Sequence, residues 1–138
     1  MNKPLILVVE DDPAVARLIS TTLETRNYQY HRVQNGAGAL LEAASARPDV
    51  ILLDLGLPDM DGIETARRIR KYVGADTLII IISAYDWTPI EQAAREAGVN
   101  AFISKPMFAS TIYNTLMTVT RRPTYEKPEE KETVKPRE

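Results

Sequence analysis

Short apolar runs alternate along the chain with longer segments in which apolar residues recur at helical spacing. Four runs are apolar throughout, as is typical of strands that other elements cover on both faces: Leu5–Val9, Val50–Leu53, Leu78–Ile82 and Ala101–Ile103. A fifth segment, Tyr28–Val33, mixes polar and apolar residues, and we expect it to form an edge strand. The pattern therefore predicts five strands.

Capping and breaking residues place helices between these strands. Two starts combine an N-cap residue with a proline, which suits the first helical turn: Asp12-Pro13 and Thr88-Pro89. The five predicted helices run from Pro13 to about Arg26, over Ala37–Ala46, from Asp61 or Gly62 to about Tyr72, from Thr88 to Gly98, and from Ser110 to about Thr120.

The strict alternation of strand and helix favours an α/β fold, a doubly wound five-stranded parallel sheet with helices on both faces. In open parallel sheets, ligands bind beyond the carboxyl ends of the strands. The residues that follow each strand are therefore the first candidates for a functional site.

Composition excludes several kinds of chemistry. The 138 residues include no cysteine and one histidine, which excludes a disulfide framework, a thiolate zinc site, a cysteine nucleophile and a multi-histidine metal site. The net charge of −2 argues against direct nucleic-acid binding. No apolar run approaches the ~20 residues that cross a bilayer, and the N-terminus has no signal-peptide layout. We therefore expect a cytoplasmic protein without membrane insertion in this segment.

The composition changes near Arg121. The last 18 residues include 11 charged side chains and three prolines, and only Tyr125 and Val134 are sizeable apolar groups. Such a segment cannot bury enough apolar surface to offset the entropy that it would lose on ordering. We therefore expect a globular domain over residues 1–120 and a flexible charged tail or linker over residues 121–138.

Polar residues with complementary chemistry follow four of the strands. Glu10 and Asp11 come after the first, Asp54 ends the third, Ser83 follows the fourth and Lys105 follows the fifth. Because the strands end at one edge of the sheet, the three carboxylates should converge there, which is costly without a cation. Carboxylate and backbone oxygens suit Mg²⁺. With a lysine and a hydroxyl nearby, the set fits the binding or transfer of a phosphoryl group.

The motifs around these residues resemble the receiver domains of two-component response regulators, which have the fold of the chemotaxis regulator. The resemblance rests on four motifs in order, Val8–Asp12, Leu52–Gly62, Ser83-Ala84, and Lys105-Pro106 after Phe102. It covers about residues 4–120 and implies a flavodoxin-like strand order of 2-1-3-4-5.

The resemblance implies which residues perform the chemistry. Asp54 is the expected phosphoacceptor, and its carboxylate attacks a phosphohistidine on a histidine kinase or a histidine phosphotransfer protein. Asp11, Asp54 and the backbone carbonyl of Gly56 are expected to ligate Mg²⁺, with Glu10 acting directly or through water. The only activity implied is self-phosphorylation and autodephosphorylation on Asp54, without turnover of a free substrate.

Other residues are expected to respond to the phosphoryl group. Lys105 pairs with it, and Ser83 donates a hydrogen bond to it. Phe102 is the expected switch aromatic, which turns inward when Ser83 moves. Pro106 holds the peptide after Lys105, usually a cis bond in receivers, and Tyr85 is expected to shield the phosphoryl group. The output surface would consist of the fourth helix, the fifth strand and the fifth helix.

Other interpretations stay open from the sequence. The domain could be a receiver-like interaction module or an engineered scaffold that does not signal by phosphate. A phosphatase with an aspartate nucleophile would need a second aspartate where this chain has Gly56, and a flavin-binding protein would need a first loop rich in glycine and hydroxyl groups. The alternative for Phe102 is a core aromatic. We expect His31, which has no acidic partner nearby in the sequence, to be a solvated surface histidine.

The two halves of the chain resemble different classes of receiver. Residues 100–113 resemble the receivers of hybrid sensor kinases, whereas residues 54–64 resemble those of DNA-binding regulators. The sequence therefore leaves three origins open: a stand-alone regulator, a part of a hybrid kinase or of a DNA-binding regulator, and an engineered or recombined chain. It does not identify the cognate kinase, the stimulus or the output.

Overall fold

A computed structural model of the chain describes residues 4–84, 88–105 and 109–120. The strands are β1 (Leu5–Val9), β2 (Gln29–Val33), β3 (Val50–Asp54), β4 (Leu78–Ser83) and β5 (Ala101–Ser104). The helices are α1 (Pro13–Thr25), α2 (Gly36–Ala46), α3 (Gly62–Arg70), α4 (Glu91–Glu96) and α5 (Ala109–Thr120). The strands pair in parallel in the order β2-β1-β3-β4-β5, which confirms the predicted fold class and strand order.

Two hydrophobic clusters, one on each face of the sheet, make up the core. Successive residues of a strand point to opposite faces, so each apolar run contributes side chains to both clusters. One cluster combines alternate residues of the central strands with α2, α3 and α4: Leu7, Val9, Ile51, Leu53, Ala39, Ile69 and Ala94 among them. The other combines the intervening residues with α1 and α5: Ile6, Val8, Leu52, Ile80, Ile19, Leu23, Ile112 and Leu116 among them. Burial on both faces explains why these strands lack polar alternation.

The edge strand β2 is exposed or half-buried along its length, as its polar sequence predicts. His31 lies on β2 and is half exposed, and it has an acidic partner. Its Nδ1 lies within hydrogen-bond distance of Glu42 on α2, which is 11 residues away in sequence. His31 is therefore exposed at the surface, as the sequence predicts, and the fold adds an acidic partner that the local sequence lacks.

Two helices differ from their predicted bounds by more than one residue. The region that begins at Thr88 is a 3₁₀ turn over Thr88–Ile90, and the α-helix proper begins only at Glu91. A 3₁₀ turn at a helix start is common. The third helix ends at Arg70, because the amides of Lys71 and Tyr72 bond to carbonyls three residues earlier. The fourth helix ends at Glu96, two residues before its predicted end at Gly98, which has a φ of +101°.

None of the helices within the described ranges is long and apolar enough to cross a bilayer. The predicted tail, residues 121–138, lies outside the described part of the chain, and so do Tyr85 and Pro106.

Candidate functional site

Four strands end at the same edge of the sheet, and each brings one part of the predicted set to it. Glu10 follows β1, where its amide donates to the carbonyl of Val33 on β2. Asp54 is the last residue of β3, and Ser83 is the last residue of β4. Lys105 follows β5, and its amide donates to the carbonyl of Ser83 at 2.8 Å. The parallel register therefore brings the predicted residues together.

Three carboxylates crowd this edge. One oxygen from each of Glu10, Asp11 and Asp54 lies within 4.8 Å of the other two. Glu10 is 1% exposed and Asp54 is 6% exposed, whereas Asp11 is open to solvent. Negative charges this close repel strongly when water is excluded, so the cluster favours a bound cation.

Lys105 supplies one positive charge to the cluster. Its Nζ lies 3.1 Å from Asp54 Oδ1 and 3.6 Å from Glu10 Oε1. Partial burial lowers the pKa of Lys105, but the hydrogen bond to Asp54 and the charges of both carboxylates outweigh it, so the pKa is raised above its usual value. One ammonium group faces three carboxylates, and the cluster keeps a negative excess.

Glu10 is the most deeply buried carboxylate of the cluster. Burial raises the pKa of Glu10 to about 7, and the charges of Asp54 and Asp11 act in the same direction, against the Asp12 amide and the Lys105 charge. Glu10 Oε2 accepts a hydrogen bond from the Asp12 amide at 3.2 Å. Glu10 Oε1 is buried and has no hydrogen-bond partner among the residues that the structure describes. A buried carboxylate oxygen of this kind is expensive unless an ion or a protein group reaches it.

These observations test whether the residues fit the magnesium ion that the resemblance implies. Mg²⁺ prefers oxygen ligands and usually binds through one or two carboxylates, with water completing its shell. The cluster offers three carboxylates next to a cleft that water can enter, and one buried oxygen of Glu10 accepts no hydrogen bond from any residue that the structure describes. The donor set therefore fits a hard divalent cation.

The cleft beside Asp54 has a volume of ≈ 240 Å³. It is lined by Asp54, Leu55, Gly56, Ser83, Ala84 and Lys105. Residues that carry a carboxylate, a hydroxyl and an ammonium group thus line one small cleft, which suits a compact anionic group such as a phosphoryl group. Gly56 adds backbone without a side chain, and a Cβ built there would meet nothing within 4 Å.

Phe102 lies on β5 and is half-buried against the core cluster that contains Leu53 and Ile81. The guanidinium carbon of Arg95 on α4 lies 5.4 Å from the centre of its ring. The aromatic ring therefore has one side toward the core and a cation on α4 nearby. The predicted roles of Tyr85 and Pro106 fall on residues outside the described part of the chain.

Sequence reasoning missed two residues that contact this region. Arg32 on β2 donates from Nε and one Nη to the backbone carbonyl of Glu10, at 3.2 and 2.9 Å. Asp59, in the loop after β3, accepts hydrogen bonds from the first two amides of α2, those of Gly36 and Ala37. No local pattern marks these contacts, because the partners are more than 20 residues apart. The sequence signal for Asp59 is only its place inside the Leu52–Gly62 motif.

Over most of its length, the chain is similar in sequence to transcriptional regulatory proteins. It is 37% identical over 120 residues to the transcriptional regulatory protein KdpE of Mycobacterium tuberculosis, which covers 87% of this chain and 52% of that protein. It is 37% identical over 117 residues to the KDP operon transcriptional regulatory protein KdpE of Escherichia coli, which covers 85% of this chain and 51% of that protein. The chain thus spans about half the length of the curated relatives that it matches.

Solved structures show the same fold. The chemotaxis protein CheY4 of Vibrio cholerae superposes with a TM-score of 0.78 at 27% identity, over 83% of this chain and 97% of that one. The receiver domain of the sensor histidine kinase PA1611 of Pseudomonas aeruginosa, solved with a magnesium ion coordinated in its active-site cleft, superposes with a TM-score of 0.76 at 30% identity. That match covers 83% of this chain and 95% of the PA1611 domain.

The family comparison agrees with the fold and with the clustered acidic residues. The family model described as the response regulator receiver domain matches residues 6–117, nearly all of the part of the chain that the structure describes. This chain therefore belongs to the response regulator receiver domain family.

Proposed function

We propose that this receiver accepts a phosphoryl group on Asp54 from a phosphohistidine on a histidine kinase or a histidine phosphotransfer protein, with Mg²⁺ bound by the acidic cluster. The observation that carries the proposal is the buried Glu10 Oε1 beside Asp54 and Lys105, which has no hydrogen-bond partner within the described ranges. A cleft lined by a carboxylate, a lysine and a serine beside two further carboxylates matches the needs of phosphoryl transfer, which depends on positioning and charge neutralisation.

Asp54 is the nucleophile in this mechanism. One of its carboxylate oxygens attacks the phosphorus atom, a new P–O bond forms, and the P–N bond to the partner's imidazole breaks. The electron pair of that bond returns to the imidazole nitrogen, and Asp54 carries an acyl phosphate. Asp54 suits this role because it is nearly buried at the end of a rigid strand, where it faces the cleft.

The other residues of the cluster balance charge and orient the phosphoryl group. Mg²⁺, when bound, would neutralise the carboxylates and phosphoryl oxygens, and we propose that Asp11, Asp54, Glu10 and the Gly56 carbonyl hold it, Glu10 directly or through water. Lys105 already contacts Asp54 Oδ1 at 3.1 Å and is placed to contact a phosphoryl oxygen.

The phosphoryl group adds about −1.5 to −2 charges to this edge of the sheet. We propose that Ser83 donates a hydrogen bond to it, that Phe102 then turns inward, and that the face made by α4, β5 and α5 changes its affinity for a partner. Phe102 supports this role because it is half-buried, with a cation from α4 nearby. We also propose that the activity is limited to the chemistry of Asp54 itself, and that Tyr85 and Pro106 modulate it.

The output of the switch would lie outside the receiver. The KdpE relatives are named as transcriptional regulatory proteins, and the match covers about half of each. We propose that this receiver controls such an output, makes no direct contact with nucleic acid, and works in the cytoplasm.

Mass spectrometry of the intact protein tests the proposal. With Mg²⁺ and acetyl phosphate, we expect an adduct of about +80 Da, one phosphoryl group on a carboxylate nucleophile. The adduct should be absent in Asp54→Asn and should persist in Asp49→Asn, which changes an aspartate at the opposite edge of the sheet. In the same samples, amide hydrogen exchange should change most in α4, β5 and α5. The proposal fails if neither acetyl phosphate nor a phosphorylated kinase gives an adduct, or if Asp54→Asn keeps it.

A further inference from the structure

The loop that connects β3 to α3, residues 55–61, carries Gly56 past the cleft. Its base is fixed by two backbone hydrogen bonds, from the Leu55 amide to the Ile82 carbonyl at 3.0 Å and from the Gly62 amide to the Leu55 carbonyl at 2.9 Å. A Cβ on Gly62 would lie 2.7 Å from the Cα of Leu55, so the two backbone segments pack directly on each other. The loop is therefore closed where it leaves the sheet.

The far side of this loop is fastened to α2 by Asp59. Its Oδ1 accepts from the Gly36 amide at 2.7 Å and its Oδ2 accepts from the Ala37 amide at 3.0 Å. The first amides of a helix have no partner within the helix and favour a negative charge. These amides, that of Gly36 most strongly, lower the pKa of Asp59. Asp59 is therefore an ionised anchor with both oxygens in use.

Met60 fastens the same point of the loop independently. A Cβ on Gly36 would lie 2.5 Å from Met60 Cγ and 2.9 Å from Met60 Sδ, so the methionine side chain rests on the bare backbone of Gly36. Two consecutive loop residues, one through hydrogen bonds and one through packing, thus hold the loop against the start of α2.

Gly56 lies between these two attachments. It is exposed and has no side chain, so the direction of its carbonyl depends on how the flanking residues are held. The next residue, Leu57, is buried in the core, and Asp59 comes three residues after Gly56. We propose that Asp59 is a positioning residue, which sets the affinity of the site for Mg²⁺ by holding the loop that presents the Gly56 carbonyl. This inference rests on the proposed function, which makes that carbonyl a ligand.

Calorimetric titration with Mg²⁺ tests the inference. We expect Asp59→Ala to weaken Mg²⁺ binding about 3- to 10-fold. This is somewhat less than the loss typical of residues that hydrogen-bond directly to a metal-coordinating group. Asp59→Asn keeps one acceptor oxygen but no charge, so it should bind with intermediate affinity. In the metal-free protein, amide exchange at Gly36 and Ala37 should be faster in Asp59→Ala than in the wild type.

Two further variants separate positioning from charge and from stability. Asp49 Oδ2 accepts from the Leu5 amide at 2.8 Å at the opposite edge of the sheet, so Asp49→Ala removes a similar bond and the same charge. It should leave Mg²⁺ affinity unchanged. Gly36→Ala displaces Met60 without altering charge, and it should weaken Mg²⁺ binding.

The outcomes distinguish this inference from the proposed function. A wild-type protein that binds no Mg²⁺ overturns both. A wild-type protein that binds Mg²⁺, together with an Asp59→Ala variant that binds it equally well, overturns the inference alone. Equal weakening by Asp59→Ala and Asp59→Asn also overturns it, because loss of charge would then explain the whole effect.

Discussion

The two edges of the sheet contrast in how they treat polar side chains. At the amino ends of the strands, several polar side chains pair with backbone groups, among them those of Asp49, Arg70, Thr77 and Asn100. At the carboxyl ends, three carboxylates share a space of a few ångströms with one lysine, and the buried Glu10 Oε1 has no hydrogen-bond partner among the described residues. The first arrangement stabilises the fold. The second destabilises the fold unless a cation binds, and an arrangement of this kind is typical of a functional site.

Arg70 donates four hydrogen bonds at the amino edge. Its guanidinium group is partly buried at the end of α3 and ties together segments that precede β4 and β5. It donates to the carbonyls of Gly74, Thr77 and Gly98 at 2.7, 2.7 and 2.6 Å and to Asn100 Oδ1 at 3.1 Å. Asn100 Oδ1 also accepts from the Ile79 amide at 2.8 Å, so the network reaches the central strand β4.

The largest effect on stability should come from this network. We expect Arg70→Ala to lower the free energy of unfolding by about 4 kcal/mol, because several acceptors lose a charged donor and the partly buried ones cannot all turn to water. Urea unfolding followed by circular dichroism measures the loss. Arg70→Lys, which keeps the charge but not the planar fork, should lose part of it.

The same variant tests whether the two edges are independent. Mg²⁺ affinity of folded Arg70→Ala should stay within about twofold of the wild type, as expected for distant sites with no shared partner. A larger change would show that the amino edge helps to shape the site, and the contrast between the two edges would no longer hold.

A smaller effect on the free energy of unfolding should come from the carboxyl edge as the pH changes. The pKa of Glu10 is about 7 in the folded protein and near its ordinary value of 4.5 in the unfolded chain. Because the folded pKa is raised, the folded state binds the proton more tightly. Its stabilisation is complete below pH 4.5 and is lost as the pH rises through 7. In Mg²⁺-free buffer, the free energy of unfolding should fall across this window by roughly 2–3 kcal/mol.

Glu10→Gln isolates this contribution from those of other groups. The variant has no titrating carboxyl at residue 10, so its stability should change less than that of the wild type between pH 4.5 and 7. Added Mg²⁺ should stabilise the wild type most at the upper end of the window, where Glu10 is ionised. Parallel pH profiles for the wild type and Glu10→Gln would show that the buried carboxyl costs nothing, and that the carboxyl edge is as well satisfied as the amino edge.

The fold was predictable because its main determinants are local. The apolar runs of β1, β3, β4 and β5 reflect burial on both faces, and the N-cap of α1 is confirmed by the bond from the Ala14 amide to Asp12 Oδ1 at 2.9 Å. The region at Thr88 was predicted less well. A cap residue and a proline indicate where a helical turn begins, but contacts elsewhere in the fold decide whether that turn is α or 3₁₀.

The candidate site was predictable as far as topology reaches. Once the strands are parallel, Glu10, Asp54 and Lys105 must share one edge, and the structure brings them together. Asp59 was not predictable, because its partners lie 22 and 23 residues earlier, on a helix whose position depends on the whole core. Residues that bind through backbone amides leave no complementary residue type in the sequence.

The smallest effect should come from the pair of His31 and Glu42, which belongs to neither edge. Their side chains are 50% and 29% exposed, so water already solvates both groups and salt screens the attraction between them. We expect His31→Ala to change the free energy of unfolding by less than about 0.5 kcal/mol in urea denaturation, and the difference to shrink further at high salt. Glu42→Gln should behave in the same way. A loss as large as that of Arg70→Ala would mean that burial does not decide which polar contacts stabilise this fold, and the contrast between the two edges would then need another cause.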